Sequence, residues 1–137
     1  MRTDELNANI ELVLRYFEAL KERDINAIML LLAKNINWCI PGNEAIAPWV
    51  GVRTNKNQIK DALELLWLNT DPISGTIAHI AADENVVICS GEFESLMLKT
   101  GKTFKSLFFT KITVVDGLIV KYTLLEDTFG LVRALSN

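Results

Sequence analysis

Residues 102–127 read Lys-Thr-Phe-Lys-Ser-Leu-Phe-Phe-Thr-Lys-Ile-Thr-Val-Val-Asp-Gly-Leu-Ile-Val-Lys-Tyr-Thr-Leu-Leu-Glu-Asp. The run is dense in β-branched and aromatic side chains and is interrupted once, at Asp116-Gly117. Asp-Gly between two such runs signals a tight hairpin, because a type I′ turn needs positive φ and glycine accepts it. The spacing predicts two long antiparallel strands, Thr103 to Val115 and Leu118 to Glu126. Alternation then sorts the first strand. Phe104, Ser106, Phe108, Thr110, Ile112 and Val114 share an uncharged face suited to a core or a pocket lining. Lys105, Leu107, Phe109, Lys111, Thr113 and Val115 share the other, which suits a half-exposed sheet surface or a subunit contact.

Upstream, Leu6, Ile10, Val13, Leu14, Phe17 and Leu20 recur at helical steps, which predicts an amphipathic helix from Thr3 to about Glu22. Thr3 is its expected cap, and Asp4 and Glu5 suit the positive end of its dipole. Tyr16 lies beside the apolar stripe, so its ring can reach the interior while its hydroxyl needs a partner. Asp24 is expected to cap a short helix, Ile25 to Ala33, that Asn35 and Asn37 interrupt. Ile36 to Ile40 reads as a short strand ended by Pro41-Gly42, and Asn43 to Val52 as an irregular segment holding Pro48 and Trp49. Thr54 or Asn55 caps a third helix that runs to about Asn69, and Asp71-Pro72 breaks the chain. Ile73 to Ala82 and Val86 to Leu98 read as strands, and Thr128 to Leu135 as a terminal helix. Helices followed by a run of antiparallel strands argue an α+β fold with helices on one face of a curved sheet. No repeat, linker or low-complexity tract divides residues 1–137, which read as one domain.

Bulk composition narrows the function. The chain has 137 residues, half of them hydrophobic, and a net charge of −3. That balance lacks the basic footprint of a nucleic-acid binder. No apolar run is long enough to span a bilayer, and the polar start, Met-Arg-Thr-Asp-Glu-Leu-Asn, lacks a signal-peptide core, so a cytoplasmic location is expected. Cys39 and Cys89 have no metal-type spacing and read as buried free thiols.

Trp38-Cys39-Ile40-Pro41-Gly42, Pro48-Trp49-Val50-Gly51-Val52-Arg53 and Asp116-Gly117-Leu118-Ile119-Val120 up to Glu126-Asp127-Thr128 resemble the motifs of SnoaL-like proteins. In that family the stretches run approximately Trp-x-x-Pro-Gly, Pro-Trp-x-Gly-x-x-x-Gly and Asp-Gly-Lys-Ile to Asp-Thr. Tyr16-Phe17-Glu18-Ala19-Leu20 and Asp24 fit its first helix. The resemblance implies the ketosteroid isomerase-like, nuclear-transport-factor-like superfamily. Its fold is a cystatin-like cone, a curved, mostly antiparallel sheet with three N-terminal helices packed on its concave face. It also implies a pocket between sheet and helices, commonly a homodimer through the sheet, and functions that diverge widely on one fold.

Carried over residue by residue, the resemblance excludes some activities. Tyr16 falls on the oxyanion-hole tyrosine of ketosteroid isomerase, but Ile40 stands at its general base and Thr110 at its second acid. The Asp-Arg-Asp arrangement of limonene epoxide hydrolase is missing, with Thr123 and Leu124 at the matching positions. Scytalone dehydratase needs two histidines, and this chain has one. SnoaL-like cyclases fit best. They close a ring by aldol chemistry with a pocket acid/base and no metal or cofactor.

The candidate catalytic groups are therefore Asp127, His79 and Tyr16. Asp127 matches the Asp-Thr motif, and alternation puts it on one face with Ile119, Lys121, Thr123 and Leu125. It could equally cap the terminal helix. His79 falls on the side of Ile77, where a surface histidine is the plainer reading. Glu92 and Glu94 read as a solvated face. Trp38, Ile40, Trp49, Phe104, Phe108, Thr110 and Ile112 are the candidate walls for a small apolar or aromatic ligand, and they would equally fill a core. An acid/base enzyme and a non-catalytic binding or dimerisation module on the same cone both remain open. Leu107, Phe109 and Val115 mark the expected homodimer face.

Overall fold

A computed structural model describes residues 1–137. The elements run α1 (Thr3–Glu22), α2 (Ile25–Leu31), β1 (Leu32–Ile40), β2 (Gly51–Asn55), α3 (Lys56–Asn69), β3 (Thr70–Asp83), β4 (Val86–Met97), β5 (Thr103–Val115), β6 (Leu118–Glu126) and α4 (Thr128–Ala134). The hairpin β5–β6 has the expected bounds, and Asp116 (φ 52°) and Gly117 (φ 75°) both take the left-handed conformation its turn needs. The six strands form one sheet in the order β2-β1-β6-β5-β4-β3. Every pairing is antiparallel except β1 with β6. This is the expected α+β cone, with α1 to α3 on the concave side.

Burial along β5 alternates without a break: Phe104, Ser106, Phe108, Thr110, Ile112 and Val114 are buried, and their neighbours face out. The concave face meets α1, α2 and α3 in a cluster built on Val13, Tyr16, Ile28, Trp38, Ile59, Ile112 and Tyr122. A second cluster lies under α4 and joins Trp49, Met97, Phe104 and Leu131. Burying side chains of this size contributes about 1.5–3 kcal/mol each, which holds the helices on the sheet.

Several local expectations change. Thr3 lies inside α1, and Arg2 at the N-cap makes no side-chain cap bond. Asp24 caps α2 by accepting from Ala27 N at 3.1 Å, as expected, but α2 ends at Leu31 and β1 runs through Asn35 and Asn37. The irregular loop stops at Val50, and Gly51–Asn55 adds a strand that no hydrophobic alternation announces. Asp71-Pro72 does not break the chain. Pro72 is tolerated because β3 is the sheet edge, where a missing N–H costs no ladder bond. No helix is long and apolar enough to cross a membrane.

Three of the register shifts in the sheet, two in β3 and one in β6, decide which side chains of those strands face the interior. In β3, Ser74 pairs Glu94 while Pro72 pairs Ser95, leaving Ile73 as an extra residue. Further along, Ile77 pairs Gly91 and His79 pairs Ser90, so Ala78 is extra. In β6, Val114 of β5 pairs Ile119 and Thr113 pairs Lys121, so Val120 is extra. Each extra residue flips the alternation beyond it and bends the strand. His79 therefore does not share a side with Ile77, and Ile119 does not share one with Lys121, Thr123, Leu125 and Asp127.

Candidate functional site

Tyr16 projects from the middle of α1 and is completely buried. Its ring stands edge-on to Trp38 at 6.5 Å and to Tyr122 at 5.5 Å. Trp38 lies flat on Tyr122, with ring centroids 3.9 Å apart. Tyr122 owes its inward position to the bulge at Val120. It faces the interior with Leu124 and Glu126, which pair Thr110 and Phe108 on the buried face of β5.

This grouping concentrates the few polar atoms of the cone. The Tyr16 hydroxyl and Thr110 Oγ1 are buried with no hydrogen-bond partner. Leaving such a group unpartnered costs about 1–3 kcal/mol. The Tyr122 hydroxyl lies near enough to Tyr16 to offset part of its burial, but the two are not aligned as donor and acceptor, so Tyr16 counts as unpartnered. Cys89 stands opposite Thr110 in the same relation. Burial pushes Tyr16, Tyr122 and the Cys89 thiol up, so all three are neutral donors near neutral pH. Glu126 is the one carboxylate of this group. Burial first, and then the neighbouring Asp127 charge, push it up to about 7. It makes no ion pair. A carboxyl poised near neutrality, close enough to raise the neutral Tyr122 hydroxyl, has the protonation needed to take a proton and give it back.

The other expected site residues are divided. His79 is exposed on the convex face, 3.4 Å from the Ser90 hydroxyl, with the sheet between it and Tyr16. Asp127 is exposed, and its Oδ1 accepts from Gly130 N at 2.9 Å, capping α4. Its own N–H donates to the Ser106 hydroxyl at 2.9 Å, which ties the start of α4 to β5. The structure thus does not bring Asp127, His79 and Tyr16 together. Trp38 and Ile112 share the cluster of Tyr16, Thr110 lies between Cys89 and Leu124 on the neighbouring strands, and Ile40 packs against both clusters. Trp49 and Phe104 belong to the cluster under α4. Phe108 touches Phe17 and Phe93, with centroids 5.9 and 6.2 Å away. Gly91 makes room for it, since a Cβ there would sit 2.6 Å from the Phe108 ring.

Two of the depressions on the surface lie near the ends of the sheet and α3. One, of about 400 Å³, lies between β2 and α3 and is lined by Glu44, Arg53 and Asp61 among others. The other, of about 380 Å³, lies at the end of β5 and β6 and includes Lys105, Leu107, Phe109, Leu125, Glu126 and Asp127. Neither is walled by Tyr16, Trp38 or Ile112.

Sequence reasoning passed over Glu126 and Tyr122. The available signal was their shared face in β6: Tyr122, Leu124 and Glu126 alternate, so an inward tyrosine carries the glutamate inward too. It also missed Arg23. From a left-handed position after α1, Arg23 donates to Trp67 O at 3.1 Å and Thr70 O at 2.9 Å, closing the C-terminal end of α3.

The family model for the SnoaL-like domain matches residues 13–122. Among solved structures, an NTF2-like protein from Burkholderia xenovorans is 21% identical, with 96% of this chain and 98% of that one covered and a TM-score of 0.86. TerC, co-crystallised with polyporic acid, is 19% identical over 95% and 99% of the two chains, with a TM-score of 0.83. An LEH-like epoxide hydrolase from M. tuberculosis is 15% identical over 96% and 91%, with a TM-score of 0.77. At these identities the likeness is one of fold. No curated protein matches the sequence.

Proposed function

Because this chain belongs to the SnoaL-like domain family, we propose that it is a small-molecule acid/base enzyme: a cyclase, isomerase or hydrolase acting in the apolar interior of the cone. The carboxyl of Glu126, pushed up to about 7 by burial and by Asp127 and near enough to Tyr122 to raise it in turn, carries this reading. Glu126 as carboxylate takes the proton next to a substrate carbonyl, and the C–H electron pair moves into an enolate. Tyr16 donates to the enolate oxygen, which gives its orphaned hydroxyl the acceptor it lacks. The enolate then attacks a second carbonyl carbon, whose oxygen takes up the C=O electron pair and the proton held by Glu126, or it recovers that proton at carbon. Trp38, Ile40, Phe108, Thr110 and Ile112, which pack the interior, would become the walls around a small apolar or aromatic ligand once it is admitted. Entry requires the interleaved rings of Phe17, Phe93 and Phe108 to turn aside. Asp127 serves this site indirectly, by raising Glu126 and fixing α4.

Proton exchange tests this without the natural substrate in hand. A panel of cyclic ketones and enones is incubated with the protein in deuterated buffer, and exchange at the carbon beside the carbonyl is followed by NMR. Exchange with the wild type that is lost in Glu126→Gln and weakened in Tyr16→Phe supports the proposal. Exchange that survives Glu126→Gln overturns it.

A non-catalytic binding or dimerisation module on the same cone is the second reading, favoured by the close interlocking of the interior rings. It gains the ground if ketones bind without exchange. Under either reading we propose a homodimer through the convex face, where Leu107, Phe109 and Leu125 are 63, 52 and 51% exposed. Apolar groups concentrated on one sheet face suit a self-complementary contact.

A further inference from the structure

The depression between β2 and α3 is built from fixed parts. Arg53 on β2 turns back on its own loop. Its Nη1 donates to Val50 O at 2.9 Å and to Val52 O at 3.1 Å, and its Nη2 donates to Pro48 O at 2.8 Å. Bonds to three backbone carbonyls hold the guanidinium still and leave Nε–H and one Nη2–H unused. A guanidinium fork of this kind fits a carboxylate. Gln58, in the first turn of α3, is held as firmly. Its Oε1 accepts from Thr54 N at 2.8 Å and from the Thr54 hydroxyl at 3.2 Å, so its amide NH2 is turned away from Thr54 and has no protein partner.

Two carboxylates share the hollow with these donors. Glu44 lies over Gly51, whose missing Cβ leaves the room that Glu44 Oε1 takes, and Asp61 projects from the second turn of α3. Neither pairs with Arg53: the ion pairs of the chain are Met1–Glu84, Arg2–Asp4 and Lys60–Glu64. Fixed donors and unpaired acids thus line one space of about 400 Å³ without bridging it. Val52, Ala62 and Leu65 supply its apolar surface.

We propose that this depression binds a small zwitterion, a free amino acid with an apolar side chain. Its carboxylate takes the open fork of Arg53 and the amide of Gln58. Its ammonium sits against Glu44 and Asp61, and its side chain covers Ala62 and Leu65. The mixture of charges selects the class. A bare carboxylate meets two like charges, and a bare ammonium meets the guanidinium and leaves its donors unused. A ligand that carries both groups satisfies each side. Tyr16, Tyr122 and Glu126 take no part in this depression, so the proposal is independent of the ketone chemistry in the cone.

Leucine, isocaproate and isoamylamine share one apolar body and differ in their charged groups, so they separate the two halves of the site. Each is titrated into the isotope-labelled full chain and followed by amide NMR. Leucine should shift the signals of Val52, Arg53, Gln58 and Asp61 and saturate, while isocaproate and isoamylamine should each bind roughly tenfold or more weakly. The double variant Glu44→Gln, Asp61→Asn changes two exposed side chains and should keep the wild-type fold. It should bind leucine roughly tenfold more weakly and isocaproate no less well than wild type. The absence of a saturable leucine shift at these residues overturns the proposal. So does an analogue that binds as tightly as leucine, or a double variant with the wild-type leucine affinity.

Discussion

The ring of Tyr16 meets that of Tyr122 edge-on, with centroids 5.5 Å apart and planes 61° from parallel, and its hydroxyl is sealed in without a partner. A purely structural tyrosine gains nothing from that hydroxyl. Tyr16→Phe removes an unpartnered polar atom and leaves the ring contacts, so stability should hold or rise, by up to about 1–3 kcal/mol. Thermal unfolding reads this directly. The same variant should show weakened ketone exchange, which makes it more stable and less active at once.

Glu126 should make folding stability fall with rising pH. Its folded value of about 7 lies above the 4.5 of an ordinary glutamate, so between those values the folded chain keeps a proton that the unfolded chain releases. The stabilisation is complete below the ordinary value and lost as pH passes through the folded one, and its size is about 3 kcal/mol. Denaturant unfolding of wild type and Glu126→Gln from about pH 4 to about pH 8 should show the advantage of the glutamine growing by that amount. A constant difference would mean that Glu126 titrates as an exposed group.

Asp127 should act through its cap. Asp127→Asn keeps an oxygen for Gly130 N and should unfold within a few tenths of a kcal/mol of wild type, whereas Asp127→Ala should lose about 1 kcal/mol. Both remove the charge that helps hold Glu126 high, so both should lower the pH midpoint of activity. Abolished exchange in Asp127→Asn, with the Glu126 carboxyl still titrating as in wild type by NMR, would instead give Asp127 a direct part in the chemistry.

Arg23 binds the end of α3 with a fork that lysine cannot reproduce. Its guanidinium reaches two carbonyls and lies 6.0 Å from the Trp67 ring. Arg23→Lys should lower stability by roughly 1–2 kcal/mol, seen as a lower denaturation midpoint, with activity intact in the folded fraction.

Much of this architecture was legible in the chain. The Asp116-Gly117 turn and the alternation of β5 gave both strand bounds and both faces, because each depends on local chemistry. Asp24, and the pair Thr54-Asn55 of which Asn55 is the cap, marked helix starts for the same reason. Bulges are different: an extra residue such as Ala78 or Val120 is chosen by sheet curvature and leaves no mark in a pattern of period two. That is why His79 was expected beside Ile77, and why Ile119 was grouped with Asp127. β2 was missed because Val52-Arg53-Thr54 forms a strand only by pairing with β1 at the sheet edge. The site followed the same division. Tyr16 was readable from helix spacing, whereas Glu126 required the inward turn of Tyr122 to be known first.

The most direct test of the account is the titration of the Glu126 carboxyl carbon by NMR in the wild-type protein, assigned by its loss in Glu126→Gln. The account predicts a midpoint near 7, with the Tyr122 ring signals shifting in step. A midpoint in the ordinary glutamate range, near 4.5, would mean that Glu126 is solvated and that the cone holds no acid/base group in its interior.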